Sequence, residues 1–491
     1  AAMALAKLNP ETRNFIGGEL VEAQSGARFA NLNPANGEVL GDCADGGGAD
    51  LDAALAAARS TFDCGDWAAD AALRARCLRE LHEGLVAEQE QLRAIAVHEA
   101  GAPVSLTGFM HVDDPISMLG YWAEKAGRLE AEQALPPVAF LGRMQRRLLR
   151  REPVGVVGAI TPWNVPLYLN IAKIGPALAA GCSVVLKPAP DTPWSATQIG
   201  RVAAQTALPP GVLNIVASSD HRLGETLATD PRVDLITFTG STETGRRVMA
   251  SASATVKKVL LELGGKSAAI VLPDADLESV LPQSAMTCIH AGQGCAITTR
   301  WLLPRSRYAE ALAIMQRAFA NWRYGDPTDP ANLQGPQISR AQQRRVLGFI
   351  QRGQADGARL LVGGGAPERP GFFVEPTLFA DVDPASELAQ QEIFGPVCCA
   401  IPYEDEDHAV RIANNSIYGL SGAVFSADEQ RALAVARRLR TGTIAVNGGQ
   451  WFHVDTPFGG YKQSGLGREN GELGLAEYLE AKVMALPPEG A

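Results

Sequence analysis

From Val154 onward the apolar positions follow two alternating rhythms. "VGVVGAI" is a short, nearly unbroken apolar run, as in a strand buried on both faces. "LYLNIAKIGPALAAG" has the length and texture of a helix. "CSVVLKP" reads as a strand, "SATQIGRVAAQTA" as a helix, "GVLNIVA" as a strand, "HRLGETLAT" as a helix and "VDLITFTG" as a strand. This alternation, with short turns, predicts a parallel sheet wound in βαβ units. Ligands of such a sheet lie off the carboxyl ends of its strands.

Upstream, "DLDAALAAARSTF" (50–62) has helical spacing, and the pattern from Asp66 to Glu99 reads as further helix. Downstream, "KKVLLELGGKSAAIVLP" places two strands around Gly264-Gly265, a hinge or a crossing between domains. A second α/β stretch runs from Asp276 to about Asn447. It has helices around Tyr308–Trp322 and Ala341–Asp356 and strands in "CAIPY" and "GTIAVN". The fold class predicted is α/β, with a Rossmann-like cofactor domain and a second α/β domain.

The chain has 491 residues, enough for two or three domains. Its formal net charge of -10 argues against a nucleic-acid binder, which needs a basic footprint. The one basic cluster, Arg143 to Arg151, is interleaved with Met144, Leu148 and Leu149, which suits a partly buried strand or a subunit edge better. The eight cysteines include no C-x-x-C pair and no zinc-ligand spacing, so no metal is expected. The N-terminal "AAMALAKLNP" lacks the apolar core of a secretion signal, so a cytoplasmic chain with reduced thiols is expected. The apolar stretch from Val165 to Leu186 is broken by Lys173, Pro176 and Gly181. It reads as buried helix and strand, with no membrane span.

Candidate chemistry gathers at the turns. In "VDLITFTGSTETGRRVMA" the run Gly240 to Gly245 is close to a P-loop. Arg246 and Arg247, however, stand where lysine and the magnesium-binding hydroxyl belong, so an ATPase reading lacks its cation-handling residues. In "AGQGCAITTR", Cys295 lies between Gly294 and Ala296. Small neighbours leave a thiol approachable, although most free cysteines are structural. A cysteine protease would need a histidine base, and His290 and His453 are its candidates. In "LELGGKS", Glu262 sits inside an apolar strand, as a satisfied structural charge or a carboxyl held for proton transfer. In "TPWNVP", Asn164 follows a strand and precedes a helix. It is either an oxyanion donor or a helix cap. In "KPAPDTP", Lys187 ends a strand, where it could reach ribose or phosphate or be a solvated loop lysine.

Taken in order, "TPWNVP", "KPAPDTP", "FTGSTETG", "LELGGKS", "GQGC", "EIFGPV" and "PFGGYKQSGLGREN" resemble the successive motifs of the NAD(P)-dependent aldehyde dehydrogenase superfamily. The resemblance spans nearly the whole chain. It implies oxidation of an aldehyde to the acid, with Cys295 as nucleophile, Asn164 as oxyanion donor, Glu262 as the base for water, and Lys173 with Glu469 relaying the proton. It implies a cofactor site of Trp163, Lys187, Gly240, Ser241, Gly245, Leu263, Glu392 and Phe394, with the turn after Gly240 presenting a helix N-terminus to a pyrophosphate. An aldehyde channel is implied along Val165, Tyr168, Leu169, Ala172, Ile289, Gly294, Ala296 and Phe452. None of these is charged, which points to an apolar aldehyde of medium size. Neither an aromatic or acidic cage for a quaternary ammonium nor an arginine for a distal carboxylate is visible. Where the family often has a glutamate that excludes NADP, this chain has Pro190. NAD is therefore expected, with NADP possible.

The resemblance further implies a cofactor domain (1–128 and 153–262), a catalytic domain (263–463) and an oligomerisation element (129–152 and 464–491). It also implies a homodimer or homotetramer. A CoA-acylating semialdehyde dehydrogenase is the enzymatic alternative, but those tend to lack the base that Glu262 supplies here. A non-catalytic dinucleotide-binding relative is the other. It would have no chemical need of Cys295, Glu262 and Asn164 together.

Overall fold

The structure, a computed structural model, describes residues 4–489, so Ala1 to Met3 of the N-terminal stretch lie outside it. The fold is mixed α/β, built on two sheets of mainly parallel strands. Its first sheet has eight strands in the order Glu19–Val21, Asn14–Ile16, Leu213–Ile215, Ser183–Lys187, Val156–Ile160, Leu235–Thr239, Lys258–Glu262 and Gly465–Leu466. The five from Leu213–Ile215 to Lys258–Glu262 are parallel. Their apolar runs are buried because helices such as Pro166–Ala180 and Gly48–Cys64 cover the faces. Chain order runs outward from Val156–Ile160 through Ser183–Lys187, and then returns to the other side at Leu235–Thr239. That reversal opens a crevice between the ends of Ile160 and Thr239, where an open α/β sheet binds its ligand.

The second sheet has seven strands: Arg359–Val362, Thr377–Ala380, Val397–Tyr403, Thr298–Pro304, Ser267–Val271, Gly422–Phe425 and Ala445–Val446. All neighbours are parallel except the first pair. The chain passes between the sheets at Gly264-Gly265, and close approach explains both glycines. A Cβ on Gly264 would lie 2.7 Å from Glu392 Oε1, and one on Gly265 would lie 2.5 Å from the Cys295 carbonyl oxygen.

Several elements were not legible beforehand. The two N-terminal strands extend the first sheet antiparallel. The expected helix from Asp66 to Glu99 is two helices, Ala71–Ala87 and Gln89–Glu99, meeting at Glu88, with Asp70 capping the first. A π-turn, Thr107–His111, and a helix, Asp113–Arg128, follow.

The boundary expected at 464 is corrected. Gly465–Leu466 pairs with Leu261 and Glu262 in the first sheet, and only Leu479–Leu486 joins Arg143–Pro153 and Glu132–Phe140 in a separate three-stranded antiparallel sheet. We propose that this small sheet is the oligomerisation element and that the two large sheets are the cores of the cofactor and catalytic domains. Within the basic run, Arg150 pairs with Glu132 and Glu152, and Arg146 and Arg147 donate to the carbonyls of Pro487 and Pro136.

All eight cysteines are free thiols. Among the described residues no helix is long and apolar enough to cross a membrane. No cluster of three or more His, Cys, Asp or Glu side chains there could hold a metal ion.

Candidate active site

Cys295 follows a turn in which His290, Ala291 and Gly292 are all left-handed, with φ of 48°, 57° and 73°. Gly292 is obligatory, because a Cβ would meet the Gly395 carbonyl oxygen at 1.9 Å. For the two non-glycine residues the left-handed region costs about 1–2 kcal/mol each. The turn is held against that strain by its hydrogen bonds. His290 N donates to Leu333 O (2.9 Å) and Gln293 N to His290 O (3.1 Å). The Gln293 side chain donates to His290 O and Pro336 O and accepts from Ile338 N. Gln293 was not among the sequence candidates. A polar residue between glycines next to a candidate nucleophile was the available signal.

Asn164 points at this turn. Its Nδ2 donates to Gln293 O at 3.1 Å, which leaves a second amide hydrogen free. It is not a helix cap, since Val165 is the N-cap of the following helix and no side chain caps that end. Glu262 ends a strand flanked on both sides, so it is no stray charge on an edge. It is 2% exposed, and among the described residues neither carboxyl oxygen has a hydrogen-bond partner. Burial, and then the nearby Glu469 carboxylate, push its pKa well above the usual carboxylate range. Burial also pushes the Cys295 thiol upward, helped by the Glu392, Glu262 and Glu469 carboxylates. In both groups the environment favours the protonated form.

Lys173 is fully buried and donates to Glu469 Oε2 and to Thr237 Oγ1. His290 Nε2 bonds the Asn164 carbonyl, so that nitrogen cannot take a thiol proton. His453 is exposed and pairs with Asp455. Neither histidine is placed as a protease base.

Cys295, Asn164, Glu262 and Glu469 share one cavity of about 650 Å³. Its lining includes Trp163, Gly240, Ser241, Leu263, Glu392 and Phe394 of the expected cofactor site and Val165, Tyr168, Leu169, Ile289, Gly294, Ala296 and Phe452 of the expected channel, together with Cys295, Asn164, Glu262 and Glu469. Leu106, Phe109, Met110, Ile297, Trp451 and Phe458 also line it, and local sequence pattern does not point to them, because they lie in the π-turn region and on irregular loops.

Ala172 is a correction. It has no exposure and packs in the core, since one turn beyond Tyr168 its methyl is too short to reach the cavity. Lys173, Lys187 and Gly245 are also off the wall. Lys187 is buried at a strand end, its pKa lowered by burial to about 8. Gly245 lies inside the Thr242–Ala252 helix, where a Cβ would meet Leu263 at 2.4 Å.

The cofactor side has the features a dinucleotide needs. Ser241 caps the Thr242–Ala252 helix, accepting from Thr244 N, and that N-terminus opens on the cavity. The first amides of a helix have no internal partners and suit a pyrophosphate. Glu392 is fixed by the Gly265 amide through one oxygen at 2.8 Å, and its other oxygen remains for a hydroxyl. Trp163 and Phe394 meet edge to face at 5.6 Å.

Comparison with known proteins bears on the same residues. The model of the aldehyde dehydrogenase family matches residues 20–484. Geranial dehydrogenase of Castellaniella defragrans is 41% identical, over 96% of this chain and 98% of its own length. The chloroplastic betaine aldehyde dehydrogenase of Beta vulgaris is 38% identical, over 96% of each. An aldehyde dehydrogenase of Mycobacterium tuberculosis complexed with NAD+ matches with a TM-score of 0.94 and 40% identity, over 99% of this chain and 100% of its own. A mutant aldehyde dehydrogenase C of Pseudomonas syringae, complexed with NAD+ and octanal, matches with a TM-score of 0.91 and 38% identity, over 97% and 98%.

Proposed function

Because this chain belongs to the aldehyde dehydrogenase family, we propose that it oxidises an apolar aldehyde of medium size to the carboxylic acid, with NAD+ and water, through a thioester on Cys295. The observation that carries the substrate reading is the apolar part of the cavity lining. Leu106, Phe109, Met110, Leu169, Ile289, Ile297 and Phe452 make much of the lining apolar, and its charged members are Glu243, Glu262, Arg345, Glu392 and Glu469. Geranial and octanal, named for two relatives, have the size and polarity this wall suits.

Trp163, Lys187, Gly240, Ser241, Gly245, Leu263, Glu392 and Phe394 would hold NAD+, whose nicotinamide accepts the hydride. Cys295, once deprotonated, attacks the carbonyl carbon. The free Asn164 amide hydrogen and the Cys295 N–H receive the oxyanion, and losing one such donor typically costs about 3–4 kcal/mol of barrier. Loss of hydride leaves the thioester. Glu262 then takes a proton from water, whose oxygen attacks the thioester carbonyl, and the acid leaves as the thiol is restored. Glu469 and Lys173 carry the proton outward. The balance is aldehyde, NAD+ and water to acid, NADH and a proton. Glu262 favours hydrolysis over transfer to coenzyme A.

A homodimer or homotetramer joined through the three-stranded sheet would cover its exposed edges. A reducing, cytoplasmic setting suits eight free thiols.

One observation favours a second reading. Tyr168, Trp451, Phe452 and Phe458 all line the cavity, more aromatics than the sequence placed there, and aromatic faces attract a quaternary ammonium. Trp451 and Phe458, however, stack on each other at 5.5 Å, and Tyr168 and Phe452 pack at 5.4 Å, which uses up ring faces.

A straight-chain aldehyde series, with geranial, benzaldehyde, succinic semialdehyde and betaine aldehyde, separates the readings. With each buried methylene worth about 0.8 kcal/mol, kcat/KM should rise several-fold per carbon until the cavity is full. A flat series, or preference for either charged substrate, would overturn the apolar reading.

A further inference from the structure

His290 is a buried titratable side chain in the nucleophile turn, and no step above uses it. Its Nε2 lies 2.6 Å from the Asn164 carbonyl oxygen. Asn164 answers with its side chain, whose Nδ2 donates to the Gln293 carbonyl three residues further along the same turn. Two hydrogen bonds of opposite sense thus stitch the strand-end residue to the turn that carries Cys295. We propose that His290 is a positioning residue, whose imidazole sets the oxyanion donor against the nucleophile. The inference rests on the reading of Asn164 as that donor.

A carbonyl oxygen only accepts, so Nε2 carries the proton. Burial lowers the imidazole pKa to about 4, so the ring is neutral near pH 7. Among the described residues its Nδ1 has no partner, and neither does either nitrogen of His111, whose ring meets it edge-on at 4.5 Å. Asn164 is therefore the ring's one polar anchor. The left-handed backbone at residue 290 suits histidine, which visits that region more readily than most residues do.

The test is rapid-mixing measurement of the NADH burst beside the rate at which iodoacetamide alkylates Cys295. Alkylation of a thiol forms no oxyanion. His290→Phe should slow the burst about three- to tenfold, the worth of a hydrogen bond, and leave alkylation near its original rate. His290→Gln, which can still donate to Asn164, should recover most of the burst. In an Asn164→Ala background the Phe substitution should cost nothing further, since neighbours acting through one another are not additive. His290→Asn, which tolerates the turn but falls short of the carbonyl, replaces the Phe variant if that chain does not fold. An unchanged burst, a parallel loss of alkylation, or an undiminished penalty in the Asn164→Ala background would overturn the proposal. Asn164→Ala with a normal burst would remove its premise, and failure of Cys295 to be alkylated at all would instead point to the reading of the nucleophile.

Discussion

Lys173 Nζ lies 3.2 Å from Glu469 Oε2, with both side chains withdrawn from solvent, and 3.0 Å from Thr237 Oγ1. Glu469 lines the cavity beside Glu262, so the pair ties the catalytic carboxyl to the interior of the first sheet. Removing one partner of a buried pair typically costs about 3–5 kcal/mol, because the other charge is left uncompensated. Lys173→Met should therefore lower the urea midpoint strongly. Adding Glu469→Gln to it should cost less than the two single changes together. Equal and additive losses would mean that the pair is not coupled.

Raised proton affinity at Glu262 gives a pH dependence with a fixed sign. Its carboxyl must ionise to activate water, so deacylation should rise with pH, with a midpoint well above the ordinary carboxylate range. Stability runs the other way. Between the unfolded and folded values the native chain binds more protons at this site, so burying Glu262 weakens the fold as pH rises through that window. Glu262→Gln should flatten the rate profile and melt higher than the parent at neutral pH. A deacylation rate already saturated at pH 5 would contradict this.

The paired glycines at the domain crossing should differ in what their substitution does. Gly265→Ala drives a methyl to 2.5 Å from the backbone oxygen of Cys295, which cannot move without moving the nucleophile. Activity should be lost. Gly264→Ala meets only the carboxylate end of Glu392, at 2.7 Å, and that side chain can swing aside. Its effect should be weaker NAD+ binding with Cys295 still open to iodoacetamide. Calorimetric titration with NAD+ and the alkylation rate of each variant distinguish the two cases.

The alternating apolar runs from Val156 to Glu262 were legible because fully buried parallel strands leave little choice of residue. Asn164, Cys295 and Glu262 were legible because strand ends and small-residue turns expose chemistry. The strands before Asp50 were not. They are only three to six residues long, too short to show a period, and apart from the buried Asn14–Ile16 most of their residues are at least partly exposed. Glu88 ends a helix with no glycine or proline to mark it. Ala172 was placed in the channel by the family resemblance, which carries position along the chain but not depth, and here the residue lies in the core. Phe109, Trp451 and Phe458 reach the cavity only through tertiary folding of the π-turn and the 447–458 segment, which local periodicity does not encode.

Cofactor preference follows from Pro190, which is uncharged and cannot repel a 2′-phosphate. NAD+ should be used, and NADP+ should be disfavoured by less than about a thousandfold in kcat/KM, or ~4 kcal/mol. The exposed Asp191 is the neighbouring carboxylate that could oppose it. Stronger exclusion that disappears in Asp191→Asn would assign the repulsion there and refute the Pro190 argument.

The central claim is that the aldehyde carbon passes through a thioester on Cys295 that Glu262 then hydrolyses. Intact-protein and peptide mass spectrometry of Glu262→Gln, quenched in acid just after mixing with NAD+ and octanal, tests it most directly. The account predicts one octanoyl group per chain, located on the peptide carrying Cys295, appearing with one equivalent of NADH. NADH formed with no adduct, or an acyl group on Cys288 instead, would contradict it.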